Sequence, residues 1–535
     1  MMMSVEMIGK RWVRLLLLLV GALLTGLTMT MPSIGFIEWI TLIPAAIAMI
    51  NIAKDRSVRG MGLYGYGFFF FFCYYLVNFY WFIELYPLSF IDGMTKGAAV
   101  AVVLAGWLGL SVFQSVAGGF LMLALGGVAR TRVAEKCQAL IPLAAAALWS
   151  IFEWLQTLFW FGVPWARLAI GQTGWLVGAQ SASLFGSCFV AFLIVFVNFF
   201  AAYAILSAEK RRIFALLSAG VFLLNTALGA VVMLSDKDSG NTVRISVVQG
   251  NISSQEKWLA SSTQKTLAVY EKYTLEAAEE GAEIVIWPES ALPYNLEGDI
   301  EKLAYVKALA RKSGVTIMVG AFTYNEEGTE LNSIVTVFPD GSLHDTVYSK
   351  RHLVPFGEYV PMRGLFEVLI PPLTELSMLS EDLAFGEGAN VVDLEKADIG
   401  SLICFDSIYD ELARDSVKEG AQIIALSTND SWFSDSAALY MHNAQAKLRA
   451  IETGRYVTRA ANTGISSVIT PNGKEIGRIE ALLEGQLTAD VETRDNTTLY
   501  VHVGNVFVLL SALFVCGIFT AETVTKIKKR KGSEK

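Results

Sequence analysis

Glu283-Ile284-Val285-Ile286-Trp287-Pro288-Glu289-Ser290 is a short apolar run stopped by a proline and followed at once by a carboxylate. A run of this length, closed by a turn signal, is a buried strand. Upstream, Thr263–Glu280 carries helical periodicity; downstream, Ile300–Ser313 is helical again and Val315–Ala321 is strand-like. That alternation predicts an α/β domain. Strand-like runs at Arg244–Gln249, Ile334–Phe338, Ile399–Phe405 and Gln422–Ser427, with a helix at Ala438–Thr453, extend it over residues 236–498. A block of roughly 260 residues can bury its own core. It contains no internal repeat and no low-complexity linker.

The sequence on either side is of another kind. The 535-residue chain is 53% hydrophobic and only 17% charged, with a mean hydropathy of +0.47, which marks a membrane protein. Its net charge of −8, with basic residues in short scattered clusters, argues against a nucleic-acid partner. Apolar runs near 12–31, 34–53, 62–84, 98–127, 138–160, 177–206, 213–234 and 502–521 are long enough to cross a bilayer. About eight spans are therefore expected: seven in a transmembrane domain, residues 1–235, and one in 499–535 with a basic tail. The first run lacks a small-residue cleavage site and further spans follow directly, so it reads as a retained helix. Lys10, Arg11 and Arg14 put the N-terminus inside, and the same count makes cytoplasmic the loops holding Lys54, Arg56 and Arg59, then Arg130, Arg132 and Lys136, then Lys210, Arg211 and Arg212. The tail with Lys526, Lys528, Lys529, Arg530 and Lys531 falls on that side too. A multi-pass protein of the cytoplasmic membrane results, with both termini inside and the α/β domain outside.

Within that domain, Glu289 closes one apolar strand, and Ile399-Gly400-Ser401-Leu402-Ile403-Cys404-Phe405-Asp406 closes another with a thiol and a carboxylate. Ligands gather at the carboxyl edge of such sheets. Of the five cysteines, Cys73, Cys137, Cys188 and Cys516 fall in or beside apolar stretches, so Cys404 is the lone thiol of the polar block. A thiol becomes a good nucleophile when a base or a positive field favours the thiolate. The charge-dense stretch Tyr348-Ser349-Lys350-Arg351-His352-Leu353-Val354-Pro355-Phe356-Gly357-Glu358-Tyr359 offers Lys350 for an oxyanion and Glu358 to orient it. Singly, each residue is more often a solvated charge or a structural cysteine; the combination is what points to chemistry. A cysteine–histidine pair using His352 or His442 is the rival arrangement.

Trp-Pro-Glu at 287–289, Lys-Arg-His-Leu-Val-Pro-Phe-Gly-Glu-Tyr at 350–359 and Ile-Cys-Phe-Asp at 403–406, in that order, resemble the Glu-Lys-Cys triad of the nitrilase, or carbon-nitrogen hydrolase, superfamily. The helices around them resemble its apolipoprotein N-acyltransferase family. Gln249-Gly250-Asn251 with Gln255, Lys257 and Trp258, Asn429-Asp430-Ser431-Trp432-Phe433, Arg449-Ala450-Ile451-Glu452-Thr453-Gly454-Arg455 and Asn462-Thr463-Gly464-Ile465 are also similar to that family. The resemblance implies an αββα nitrilase-like sandwich, catalytic residues Glu289, Lys350 and Cys404, and supporting residues Glu358 and Asp406. It further implies a ping-pong transfer of an acyl chain, through a Cys404 thioester, from a membrane phospholipid to a diacylated apolipoprotein, with no cofactor and no metal. The family has glutamate where Asp406 stands, which shortens the reach by about 1.5 Å.

Trp258, Phe356, Trp432 and Phe433 are candidates for binding lipid, with core packing as the alternative. Gly357, Gly364, Gly386 and Gly388 make 356–390 a candidate lid. Two other functions stay open: a membrane-anchored amidase or carbon-nitrogen hydrolase with the same triad, and a non-catalytic transporter or assembly factor. The many spans favour a lipid-consuming enzyme over the first, and the lack of a charged pathway through the spans disfavours the second.

Overall fold

The computed structural model describes residues 5–88, 93–159, 162–235, 240–369 and 381–533. Among the described residues the polar block has twelve strands: β1 Thr242–Gln249, β2 Ile284–Ile286, β3 Thr316–Tyr324, β4 Glu330–Val337, β5 Tyr348–Ser349, β6 Val392–Asp393, β7 Asp398–Ile403, β8 Ile423–Thr428, β9 Tyr456–Ala461, β10 Ser466–Ile469, β11 Glu475–Ile479 and β12 Gly485–Glu492. They form two six-stranded sheets, ordered β12-β1-β2-β3-β4-β5 and β11-β10-β9-β8-β7-β6. In each sheet the middle strands are parallel, Ile245 beside Ile284 and Ile399 beside Ile423.

Three apolar layers hold the sheets. Val243, Ile245, Ile286 and Met318 of the first meet Ile399, Ile403, Ile423 and Ala425 of the second in one buried cluster. The outer face of the first sheet packs Val285 and Ile317 against Tyr270, Tyr273 and Leu309 of the helices Thr263–Glu279 and Ile300–Ser313. The outer face of the second sheet packs Leu402, Ile424 and Leu426 with Leu412 and Met441 of the helices Asp410–Lys418 and Ala437–Thr453. This is the αββα sandwich. The last cluster does not end there: it runs on through Trp165, Leu168 and Ile170 into Ile194 and Phe200 of a membrane helix.

Among the described residues, seven helices are long and apolar enough to cross a membrane: Arg11–Thr30, Pro32–Lys54, Gly60–Asn78, Lys96–Ala129, Ser187–Leu206, Arg211–Ser235 and Val506–Arg530. The expected span at 138–160 is the shorter apolar helix Leu140–Leu155. The expected span at 177–206 needs correction. It is broken into Leu176–Ala179, Ala182–Phe185 and the long helix Ser187–Leu206. The break is at Gly186, with φ of 78°; a Cβ there would lie 2.6 Å from the Tyr500 ring. That backbone suits only glycine, and the ring takes the space a side chain would need. The span read at 62–84 likewise ends at Asn78 and continues as the 3₁₀ turn Tyr80–Leu85.

Among the described residues, the carboxylates buried deepest in the bundle, Glu38 and Glu153, are both partnered. Glu38 accepts a 2.6 Å bond from Gln172; Glu153 accepts from the Trp149 indole and the Leu168 amide, both at 2.9 Å. Where the bundle meets the sandwich, fully buried Arg167 pairs with Asp410 at 2.8 Å and donates to the Ile408 carbonyl at 3.0 Å. Arg449 pairs with Glu452 at 2.7 Å, and Glu452 accepts from the Ser187 amide at 2.9 Å. Charges survive such burial only when paired and hydrogen-bonded.

Candidate active site

Strand order brings the three predicted catalytic residues to one edge. Glu289 follows β2, and Cys404 follows β7. Because β4 is antiparallel to both β3 and β5, β5 runs parallel to β3 and delivers Lys350 at the edge where β2 ends. The two sheets are tied at this point by the Ser427 hydroxyl, which donates to the Trp287 carbonyl at 3.0 Å. Both strand ends turn sharply. Cys404 itself has φ of 49° and Ser290, next to Glu289, 45°, a conformation that costs a residue with a Cβ about 1–3 kcal/mol and that surrounding structure must enforce. Gly320 on β3 admits the Glu289 backbone, since a Cβ there would sit 2.1 Å from the Pro288 carbonyl oxygen.

The Lys350 ammonium lies between two carboxylates, 2.9 Å from Glu289 Oε1 and 2.9 Å from Glu358. These pairings hold it ionised far above the ordinary lysine range, outweighing burial. Glu358 Oε2 accepts from the Val354 amide at 2.8 Å, which closes the 350–359 loop on itself. Glu289 Oε2 accepts from the Asn429 amide at 2.8 Å. Cys404 is half-buried. Burial and the neighbouring Glu289 charge push its thiol above the usual range, while Lys350 and a hydrogen bond from Thr428 act the other way.

Asp406 is fully buried and accepts four hydrogen bonds: from the amides of Ile403 at 3.0 Å, Arg351 at 3.2 Å and His352 at 2.8 Å, and from the Tyr348 hydroxyl at 2.8 Å. Burial lifts its pKa to about 6 against these donors. The shorter carboxylate therefore still ties the Cys404 strand to the Lys350 loop. His442 is held by Asp430 at 2.8 Å through Nδ1 and faces the Ser407 hydroxyl and the Cys404 carbonyl through Nε2, at 2.9 and 3.1 Å. Asp430 is also paired with buried Arg459 at 2.7 Å. His442 thus addresses the main chain of Cys404. His352 is stacked on Tyr409 with centroids 3.8 Å apart and is held at a pKa of about 4 by burial and Arg351. Among the described residues one group has metal-ligand spacing, Cys404, Asp430 and His442, with ligand atoms within 4.8 Å of one another; each of its polar partners is already engaged as described.

The four aromatic candidates separate. Phe433 packs on Trp81 and Trp165 of the bundle, with centroids 4.9 and 5.8 Å apart, so it lies on the seam between domains. Trp258 is 43% exposed and 6.0 Å from the Phe322 ring. Phe356 has φ of 63°, in the turn that its amide closes onto the Tyr359 carbonyl at 2.8 Å. Trp432 is half-buried. Of the candidate lid, residues 370–380 lie outside the described residues; Arg363 pairs with Asp382 across that stretch.

Two residues of the site escaped the sequence reading. Asn332 on β4 donates through Nδ2 to Glu289 at 2.8 Å and to Glu358 at 3.0 Å. Its signal in the string was only a polar residue breaking the Leu331–Ile334 run. Lys257 was seen as part of a motif and given no role. It is 3% exposed, with Nζ 3.5 Å from the Glu289 main-chain carbonyl.

The carbon-nitrogen hydrolase family profile matches residues 244–497, and that of the apolipoprotein N-acyltransferase N-terminal domain matches residues 21–200. The chain is 32% identical over 371 residues to the apolipoprotein N-acyltransferase of Geobacter metallireducens, covering 67% of this chain and 70% of that one. To the protein of that name from Gloeobacter violaceus it is 29% identical over 498 residues, covering 92% and 91%. A solved nitrilase-superfamily structure from Saccharomyces cerevisiae is similar at 19% identity, covering 48% of this chain and 92% of that one, with a TM-score of 0.38. A nitrilase-type sandwich joined to a helical bundle, with both parts matched and a 32% identical relative covered over 70% of its length, establishes that this chain belongs to the apolipoprotein N-acyltransferase family.

Proposed function

We propose that the protein transfers an acyl chain from a membrane phospholipid to the N-terminal amine of a diacylglyceryl-cysteine lipoprotein, by way of a thioester on Cys404. The observation that carries the reading is the site's position. Cys404 packs on the cluster between the sheets, while Phe405, Ile408 and Tyr409, the residues that follow it, belong to the apolar cluster shared with Trp165 and the membrane helices, so the strand end carrying the sulfur adjoins the seam of sandwich and bundle. Donor and acceptor both carry acyl chains that cost about 0.8 kcal/mol per methylene to draw into water. Chemistry at this seam avoids that cost.

In the first half-reaction the Glu289 carboxylate takes the sulfur's proton as the thiolate attacks the donor's ester carbonyl. Lys350 has given two of its three N–H groups to Glu289 and Glu358, and the third faces the oxyanion. Collapse breaks the ester C–O bond, and the lysophospholipid leaves with the proton returned from Glu289. In the second, the acceptor's neutral amine attacks the thioester, its proton passes to Glu289, and the C–S bond breaks to restore the thiol. Glu358 and Asn332 hold the lysine and the base in register throughout. The basic clusters in the loops support an extracytoplasmic setting for this chemistry at the cytoplasmic membrane.

Incubating the purified protein with phospholipid and no acceptor should add one acyl mass to the peptide containing Cys404, and a diacylated lipopeptide should then remove it as an N-acyl product. Cys404→Ala should do neither. Release of the chain only as free fatty acid, with the lipopeptide present, would favour the amidase-like hydrolase reading instead.

A further inference from the structure

Among the described residues, Lys257 carries a buried charge with no ion-pair partner of its own. Its Nζ has one hydrogen-bond neighbour, a neutral carbonyl at the long distance of 3.5 Å, and lies 5.7 Å from the Trp258 ring. Arg167, Arg449 and Arg459 are each held by a carboxylate, and Lys350 by two. The charged or titratable groups that Lys257 faces are Glu289 and Cys404, both at the reacting centre.

Counting charge explains why it is there. Glu289 and Glu358 as carboxylates bring two negative charges and Lys350 one positive, so the cluster alone is negative and opposes a thiolate beside it. Moving the sulfur's proton to Glu289 leaves that total unchanged, and the tetrahedral oxyanion inherits it. Burying unbalanced charge is expensive, and a nearby cation lowers the cost of a thiolate.

Resting on the reading of Cys404 as nucleophile, we propose that Lys257 is the second cation of the active site, neutralising the Glu289–Lys350–Glu358 cluster so that the sulfur, and then the oxyanion, can carry the negative charge. Lys350 holds the base; Lys257 balances the account. Burial pulls its pKa down to about 8, which still leaves it largely protonated at neutral pH.

The test is the rate at which iodoacetamide alkylates Cys404, located by peptide mass, across pH in the full-length protein in detergent. Lys257→Met removes the charge and keeps the shape; Lys257→Arg keeps the charge. Lys257→Met should slow alkylation near neutral pH by about tenfold or more, the effect of one pH unit on thiolate population, and shift the profile alkaline. Lys257→Arg should stay close to wild type. Thioester formation from phospholipid should fall in kcat with KM unchanged in the methionine variant.

An unchanged alkylation profile in Lys257→Met, in a protein that still unfolds cooperatively on heating, would overturn the inference. So would a raised KM for phospholipid with normal alkylation, which would make Lys257 a headgroup-phosphate contact. Lys257→Gln serves if the methionine variant does not fold. A wild-type protein that is alkylated normally yet never gains an acyl mass would sink the acyl-transfer reading while the alkylation comparison still decides Lys257.

Discussion

Asp406 presents two oxygens to four donors, three of them main-chain amides. Asp406→Asn turns one oxygen into an NH₂ facing those donors, leaving about two of them unpaired at 1–3 kcal/mol each. The variant should lose several degrees in thermal midpoint and lose thioester formation. Asp406→Glu, the residue that family resemblance leads one to expect, keeps the acceptors but adds a methylene in a site with no exposed surface; overpacking of about 1–3 kcal/mol should lower stability while activity survives. At Asn332 the amide bridges two carboxylates, so Asn332→Ala should reduce the rate of thioester formation by about tenfold, equivalent to 1.4 kcal/mol of barrier. Lys257 gives a pH signature in stability. Its folded pKa of about 8 lies below the ordinary lysine value of 10.5, so the unfolded chain binds more protons between those limits and wild-type stability from this group rises with pH across them. Lys257→Met should therefore unfold later than wild type below about pH 8, by roughly 1–3 kcal/mol, and the gap should close toward pH 10.5. Thermal unfolding of the two proteins across that range checks it.

At the scale of elements, the segment Pro164–Gly174 lies against the helix Ala437–Thr453, where Gln445 donates to the Pro164 and Trp165 carbonyls at 3.3 Å, and its Arg167 reaches the start of the helix Asp410–Lys418. The fully buried Arg167–Asp410 pair has the signature of an ion pair that is costly to break and cheap to replace. Arg167→Met alone strands Asp410 and should cost about 3–5 kcal/mol, whereas Arg167→Met with Asp410→Leu should be less damaging than either change alone, read as thermal midpoints at one scan rate. The elements also show what a single string reveals. β2, β7 and β8 were legible because each is a short apolar run between turn residues, and Glu289 and Cys404 stood out at their ends. β9 to β12 were missed. β9 buries Arg459 and Thr458 completely, and a buried arginine paired to distant Asp430 looks in sequence like a solvated one; β11 is half-buried apart from exposed Ile476 and carries no apolar alternation. The span at 177–206 was read as continuous because hydropathy averages over Gly186, whose bend is decided by Tyr500, more than three hundred residues away in sequence. Asn332 and Lys257 were invisible for a related reason: what distinguishes them is burial against particular partners, which only the closed sandwich creates.

The whole molecule has two ends of opposite character. The predicted cytoplasmic loops gather at one of them: Arg56 pairs with Glu135 at 2.6 Å, Arg130 donates to the Ala53 and Asp55 carbonyls at 3.0 and 2.8 Å, and Glu522 of the final helix accepts from the Arg132 amide at 2.8 Å. The sandwich attaches at the other, through Trp81 beyond the end of Gly60–Asn78, Gly162 beneath the Tyr409 hydroxyl at 2.9 Å, and Ser187 at the start of Ser187–Leu206. A bundle with basic loops at one end and the sandwich at the other supports the proposed orientation, in which lysine and arginine stay untranslocated and the seam meets the outer leaflet. Exposed Cys137 marks the basic end, and exposed Glu326, after β3, marks the far end. In intact spheroplasts a membrane-impermeant maleimide should label E326C and leave Cys137 untouched; permeabilisation should add Cys137. Labelling of Cys137 alone in intact cells would place the sandwich in the cytoplasm. Glu289, Lys350 and Cys404 would then face the wrong leaflet for an exported lipoprotein, and the donor and acceptor proposed here would both have to be abandoned.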